Sequence, residues 1–201
     1  MKATSIILAG GKNKRFGENK ALINIGGQTM IERVMERLGP LTDRFLVVTA
    51  PDLPELGVSG RVEIIPDLYP GFGPLGGIYT GLESSESRLN IVVACDMPFL
   101  NIELLDFMLN ESEDVDAVVP RLENGMVEPL HSVYAKSGLP VMKEWLDSNR
   151  LGVAPFLDEI RVRYIQHTEL RKLDPELRSF FNINYPSDLD TAIAMDAENS
   201  R

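Results

Sequence analysis

Apolar and polar positions in this chain fall into short blocks that switch between strand and helix patterns. Residues 5–9 form a continuous apolar run, the pattern of a strand buried on both faces, and it stops at Gly10-Gly11. Residues 45–49 and 62–65 predict two more strands, and 91–95 the clearest one, set between Asn90 and the turn Asp96-Met97-Pro98. Thr29 and Glu32 have capping-box spacing ahead of a helix to about Leu38, which Gly39-Pro40 ends. A short helix spans 73–85 from near Pro74, a residue tolerated in a first turn, and Asn101 caps another through Leu109. Residues 117–120 and 130–134 predict strands, 139–146 a helix, and Ser187 and Asp190 flank the start of a last helix behind Pro186. The stretch 150–177 is the least legible. Strand and helix blocks alternate, which predicts an α/β fold with a mostly parallel central sheet.

Composition narrows the class. The 201 residues carry 44% hydrophobic and 25% charged positions, ordinary values for one soluble globular domain, 1–201. No repeat or linker divides the chain. The net charge of −10 argues against a partner that is nucleic acid or an anionic membrane. The single cysteine, Cys95, excludes an intramolecular disulfide and a cysteine-rich zinc site. His131 and His167 are too few and too far apart for a histidine metal motif. The N-terminal apolar run is too short for a signal peptide, and no segment approaches the ~20 apolar residues of a bilayer span, so a cytoplasmic protein is expected.

Against this acidic background, residues 12–20 gather Lys12, Lys14, Arg15 and Lys20 around one acid, Glu18. Glycines let backbone N–H groups approach an anion, and lysine and arginine neutralise phosphate charge. The loop after the first strand therefore reads as a phosphate cradle. Asp96 follows the strand 91–95, and in an open parallel sheet both belong on the rim at the strands' carboxyl ends. A carboxylate there is the expected ligand of Mg2+, which takes one or two protein carboxylates, waters and substrate phosphate oxygens. The alternative makes Asp96 a cap for the turn before Pro98. The loop is not a Walker A sequence, because no glycine stands five residues after Gly10 or Gly11 and no Ser or Thr follows Lys20. Gly71-Phe72-Gly73-Pro74-Leu75-Gly76 matches G-x-G-x-x-G, with Asp96 twenty residues beyond Gly76, but residues 66–70 separate it from its strand. Cys95 reads as packed and inert, and His131 as structural.

Leu8-Ala9-Gly10-Gly11, Arg15, Gly17 and Lys20, then Asp67 with Gly73-Pro74-Leu75-Gly76-Gly77, then Cys95-Asp96-Met97-Pro98-Phe99-Leu100 resemble the molybdenum cofactor guanylyltransferases, the MobA family. Asn182-Ile183-Asn184-Tyr185-Pro186 resembles that family's closing signature. The resemblance runs nearly end to end. It implies a three-layer, Rossmann-like nucleotidyltransferase fold, with a nucleotide half at about 1–100 and an acceptor half at about 101–201. It implies transfer of GMP from GTP to molybdenum-molybdopterin with release of pyrophosphate. Leu8, Ala9, Gly10 and Gly11 would then hold nucleotide through their backbone. Arg15 and Lys20 would neutralise its phosphates, Asp67 would lie near guanosine, and Asp96 would bind magnesium. Asn182 and Asn184 would face the acceptor. The chain departs from the family pattern at Asn19-Lys20, at Phe16-Gly17 and at Thr49-Ala50-Pro51-Asp52.

Gly10 stands where the cytidylyltransferase relatives usually carry alanine, which leaves room beside a purine. A related transferase using CTP, or a sugar-phosphate or cobinamide-phosphate acceptor, is the second reading. A dinucleotide-binding oxidoreductase on residues 71–76 is the third, and a non-catalytic nucleotide-binding module the fourth. A delivery or molybdoenzyme partner protein is left open, and the acidic surface without heptads predicts a monomer or weak oligomer.

Overall fold

The computed structural model describes residues 3–10, 20–51, 56–58 and 60–199. In chain order these form β1 (Ala3–Leu8), β2 (Asn24–Ile25), β3 (Gln28–Thr29), α1 (Met30–Leu38), β4 (Thr42–Thr49), β5 (Val62–Pro66), α2 (Gly73–Ser84) and β6 (Leu89–Ala94). There follow α3 (Ile102–Asn110), β7 (Ala117–Arg121), β8 (His131–Ala135), α4 (Leu139–Asp147), α5 (Val153–Leu157), β9 (Val162–Gln166), α6 (His167–Leu173) and α7 (Pro186–Asn199). Seven strands make one sheet in the order β5-β4-β1-β6-β8-β7-β9, and β2 and β3 pair separately. Every neighbour in the large sheet is parallel except where β8 meets β6 and β7. The expected mostly parallel α/β sheet is present, with one strand reversed.

Alternation along the strands builds three layers. Ile7, Val47, Ile91 and Val93 point to one face, where α1, α3 and α6 cover them with Ile31, Val34, Leu104, Leu105, Met108 and Leu170. Ile6, Leu46, Val48 and Val92 point to the other, under Leu75, Ile78 and Leu82 of α2, Trp145 of α4 and Phe156 of α5. Both faces of the central strands are therefore dry, which is why 5–9 and 91–95 read as apolar runs rather than as alternating ones.

The capping signals operate as the sequence predicts. Glu32 Oε2 accepts the Thr29 N–H at 2.8 Å while Thr29 Oγ1 accepts the Glu32 N–H at 3.4 Å. Asn101 Oδ1 accepts the Leu104 N–H at 3.0 Å. At the start of α7 it is Asp188, rather than Ser187 or Asp190, that ties the chain, accepting the N–H groups of Asn184 and Tyr185 at 2.7 and 2.8 Å. The stretch that gave no clear period holds α5, β9 and α6. Among the described residues no helix is long and apolar enough to cross a membrane.

One helix lies unusually close to the sheet. A Cβ added at Gly81 would stand 2.3 Å from Ile6 Cγ2, and one at Gly77 would stand 3.3 Å from Leu8 Cδ2. The two glycines, one helical turn apart, let the backbone of α2 rest on β1 and bring its first turn to the end of that strand. Gly81→Ala should thus overpack the β1–α2 contact and destabilise by about 1–3 kcal/mol despite alanine's better helix propensity. Gly77→Ala should cost less, because its neighbour is the movable end of a leucine. Urea denaturation of both variants checks the ranking, and equal stability for Gly81→Ala and the parent would contradict it.

Candidate active site

Register sets the rim of the sheet. Leu8 pairs with Val48 on one side and Ala94 on the other, so β4, β1 and β6 end at one level. Hydrogen bonds continue past the strand ends: Ala9 N–H to Val48 O at 2.9 Å, Cys95 N–H to Leu8 O at 3.1 Å, and Asp67 N–H to Thr49 O at 2.8 Å. Strand order reverses between β1 and β6, because β4 and β5 lie to one side and β8, β7 and β9 to the other. Beyond this switch point opens a cleft of about 820 Å³. Leu8, Ala9, Gly10, Thr49, Ala50, Asp67 and the first turn of α2 line one part of it. Asp96 and Met97 line its middle, and Glu128, Pro129, Leu130 and Asn182 the far part.

Lys20 crosses the centre. Its Nζ donates to Asp96 Oδ2 at 3.1 Å and to Asn184 Oδ1 at 3.0 Å. The Lys20 and Asp96 side chains retain 17% and 19% of their exposure, enough shelter to strengthen the pair yet open enough to meet a ligand. Asp96 therefore does not serve as a turn cap through its side chain: that carboxylate faces lysine across the cleft. Among the described residues its other oxygen, Oδ1, receives no hydrogen bond.

The remaining predicted residues fall around this bridge. Asp67 Oδ1 accepts the Tyr69 N–H at 2.9 Å and lies 2.9 Å from Thr80 Oγ1, so α2 and its own loop fix it. The Asn182 amide donates to Phe180 O at 3.1 Å, and the Ile183 N–H donates to Asp96 O at 3.0 Å, which lays the C-terminal segment against the Asp96 loop. At Gly10 an added Cβ would meet Ala50 N at 3.5 Å and Thr49 C at 3.7 Å, so a methyl there fits and narrows the gap between the ends of β1 and β4. Gly11 and Arg15, and with them Lys12, Lys14 and Gly17, lie outside the described residues.

Two buried groups beside the cleft take no polar role. Burial, and secondarily Asp96, push the Cys95 thiol up to about 12, so it is packed and inert. His131 is fully buried in β8, and neither ring nitrogen has a hydrogen-bond partner among the described residues. It packs edge-on against Phe180 at 4.9 Å, and burial lowers its pKa to about 3. Glu128 is the charged lining residue that the sequence reading passed over. Its local signal is weak, an acid before Pro129 where β8 is about to begin.

A cleft at a topological switch point, floored by strand ends and a glycine-rich turn, is where open α/β sheets take nucleotides, and it sets the chain among the nucleotide-binding α/β proteins. Within that class the chain belongs to the MobA-like NTP transferase domain family, whose sequence model matches residues 5–163. It is 40% identical to a probable molybdenum cofactor guanylyltransferase of Pelotomaculum thermopropionicum, over 100% of this chain and 96% of that one. It is 38% identical to the molybdenum cofactor guanylyltransferase of Desulfosudis oleivorans, over 95% and 94% of the two chains. The crystal structure of molybdopterin-guanine dinucleotide biosynthesis protein A from Archaeoglobus fulgidus superposes with a TM-score of 0.83 at 30% identity, over 97% of this chain and 99% of that one.

His131 makes the fold acid-sensitive. Its imidazole titrates near 6.5 when unfolded and near 3 when buried, so the unfolded chain takes up the proton first. The stabilisation is complete above about pH 6.5 and is lost as pH falls toward 3. Chemical denaturation between pH 7 and 5, above the range of ordinary carboxylates, should show the decline in the parent and a flatter profile in His131→Leu. Parallel profiles would refute the assignment.

Proposed function

We propose that the protein transfers GMP from GTP to the terminal phosphate of molybdenum-molybdopterin, releasing pyrophosphate and forming the guanine dinucleotide of the cofactor. The observation that carries this reading is the Lys20 ammonium held between Asp96 and Asn184 in the middle of a switch-point cleft. The relatives' names support guanylyl transfer to a molybdenum cofactor, and the cleft holds groups suited to such a transfer.

In-line attack on an α-phosphate needs positioning and charge neutralisation more than a protein nucleophile. Backbone of Leu8, Ala9 and Gly10, with Gly11 in sequence, would hold the nucleotide at the ends of β1 and β4. Asp67, fixed by Thr80 and the Tyr69 N–H, would stand near guanosine. Lys20, with Arg15, would neutralise the triphosphate and the pyrophosphate that leaves. The acceptor is an ionised phosphate, so no strong general base is required. Asn182 and Asn184 would face it. Nucleotide thus takes the half of the rim built by about 1–100, and acceptor the half built by about 101–201, within one domain.

Asp96 fits a magnesium ion. It is a single carboxylate at a strand end with one oxygen unengaged among the described residues, and Mg2+ takes few protein ligands and keeps waters and phosphate oxygens. The described residues hold no group of three acids, histidines or cysteines that could cage a metal alone. Magnesium there would add positive charge beside the phosphates. We further propose cytoplasmic location, a monomer or weak oligomer, and no nucleic-acid or membrane partner; a delivery or molybdoenzyme protein would be the natural recipient of the product.

Pyrophosphate release with magnesium and molybdenum-loaded molybdopterin should occur with GTP and not with CTP. Release from CTP alone would keep the mechanism and overturn the base assignment. Lys20→Ala should lower turnover at least ~100-fold, the scale of one lost transition-state electrostatic contact. Asp96→Asn should abolish magnesium-dependent turnover while thermal unfolding stays near the parent's, because it removes charge and no core. Near-parental activity in Asp96→Asn would sink the metal assignment.

A further inference from the structure

The backbone of Glu128 is fixed: its N–H donates to Pro120 O at 3.0 Å, and its carbonyl accepts from the His131 N–H at 3.1 Å and Ser132 Oγ at 2.7 Å. Its carboxylate is another matter. Glu128 lines the cleft and is partly buried, and its carboxylate takes no hydrogen bond or ion pair from any described residue. The other two acids of the lining are engaged, Asp67 by Tyr69 and Thr80, Asp96 by Lys20. Burial alone pushes the Glu128 carboxyl above its usual range. A sheltered polar group without a partner costs stability, and such a group at the wall of a cleft is explained by a ligand that completes it.

A carboxylate has two oxygens set to accept two parallel N–H groups. Guanine and a pterin both offer that pair, a ring N–H beside an exocyclic amino group. Position on the rim separates them. Along the sheet the sites run Asp67 after β5, Thr49 and Ala50 at β4, Gly10 after β1, Asp96 after β6, then Leu130 and Glu128 before β8. With phosphates gathered at Lys20 and Asp96, the nucleoside lies toward β4 and the acceptor toward β8. Pro129, Leu130 and Met97 give that end an apolar wall for a flat ring.

We infer that Glu128 is a specificity-determining residue for the acceptor, its carboxylate accepting the ring N–H and the amino group of a pterin. The inference rests on the guanylyl-transfer reading for the direction in which the two substrates lie. It assigns the recognition of the heterocycle, whereas Asn184 bonds Lys20 and Asn182 adjoins the segment laid against the Asp96 loop, both suited to the acceptor phosphate.

The test is equilibrium binding of 6-hydroxymethylpterin and of the matching lumazine, in which oxygen replaces the amino group. The parent should prefer the pterin by about 10-fold, the equivalent of one hydrogen bond to a charged group. Glu128→Gln, which keeps the volume, and Glu128→Leu should bring the two ligands within about twofold of each other. GTP affinity should stay unchanged in both variants, which also reports that they fold. Equal or absent binding of the two heterocycles by the parent overturns the inference, as does a preference that survives in Glu128→Gln. Loss of GTP affinity in place of pterin preference overturns it as well, by moving the carboxylate to the guanine. Pyrophosphate release by the parent is measured alongside. Release without a pterin preference defeats this inference alone, and a pterin preference without release defeats the guanylyl-transfer reading alone.

Discussion

Lys20 joins three segments that are far apart in the chain: Asp96 is 76 positions away and Asn184 is 164. A charged bridge orients side chains but does little to bring segments together, since desolvation offsets much of its attraction. The assembly comes from a satellite core directly associated with the same segments. Ile23 and Ile25 follow Lys20, Phe99 follows Asp96, Ile183 precedes Asn184, and these pack with Met30 and Ala192. Non-directional burial sets the meeting point, and the lysine then fixes the geometry. Arg33 reinforces the arrangement from behind, donating to Ile25 O at 3.1 and 2.9 Å and to both oxygens of Asp196 on α7 at 2.6 and 2.7 Å. The C-terminal helix is therefore part of the site's support, although it lies outside the span of the family's sequence model.

The cleft combines rigid and unfinished surfaces. Its floor is three strands in register, with α2 seated on β1 through Gly77 and Gly81, so little can shift without disturbing the main core. The wall at Glu128 has a fixed backbone and an uncompensated carboxylate. Folded proteins satisfy local rules nearly everywhere, and exceptions concentrate where a ligand completes the structure. Rigid positioning with one unpartnered group is what selective binding of a second substrate needs, because an analogue without the matching donors leaves that group unpaired.

Much of this was legible in the sequence, for identifiable reasons. Central parallel strands are dry on both faces, so 5–9 and 91–95 announce themselves as apolar runs, and caps such as Thr29 with Glu32 are local chemistry. The stretch 150–177 was opaque because β9 is an edge strand whose pattern is broken by ion pairs. Arg163 reaches Glu111 at 2.9 Å and Glu169 at 2.6 Å, and the adjacent Arg161 holds Asp116, whose carboxyl it draws down to about 2. Strand direction leaves no trace in apolar periodicity, so the reversal of β8 was not readable. Lys20, Asp96, Asn182 and Asn184, which the structure brings together at the cleft, stood out in the sequence because their motifs are contiguous. Glu128 was passed over because its signal is the lack of a partner, which exists only once the chain is folded.

Charge in the cleft constrains how an anionic substrate can enter. Among the described lining residues Lys20 is the one cation, set against Asp67, Asp96 and Glu128, in a protein that already carries −10. Lys20 is itself engaged by Asp96. Such a surface does not attract a bare triphosphate, and a divalent cation at Asp96, as proposed, would offset that repulsion. The basic residues Lys12, Lys14 and Arg15 precede Lys20 in the sequence and lie outside the described residues. On the proposed reading, the acids would disfavour a phosphate without a metal and Lys20 would favour one that carries it. On that same reading, a net acidic protein would thus bind two anionic substrates side by side and still discriminate between them.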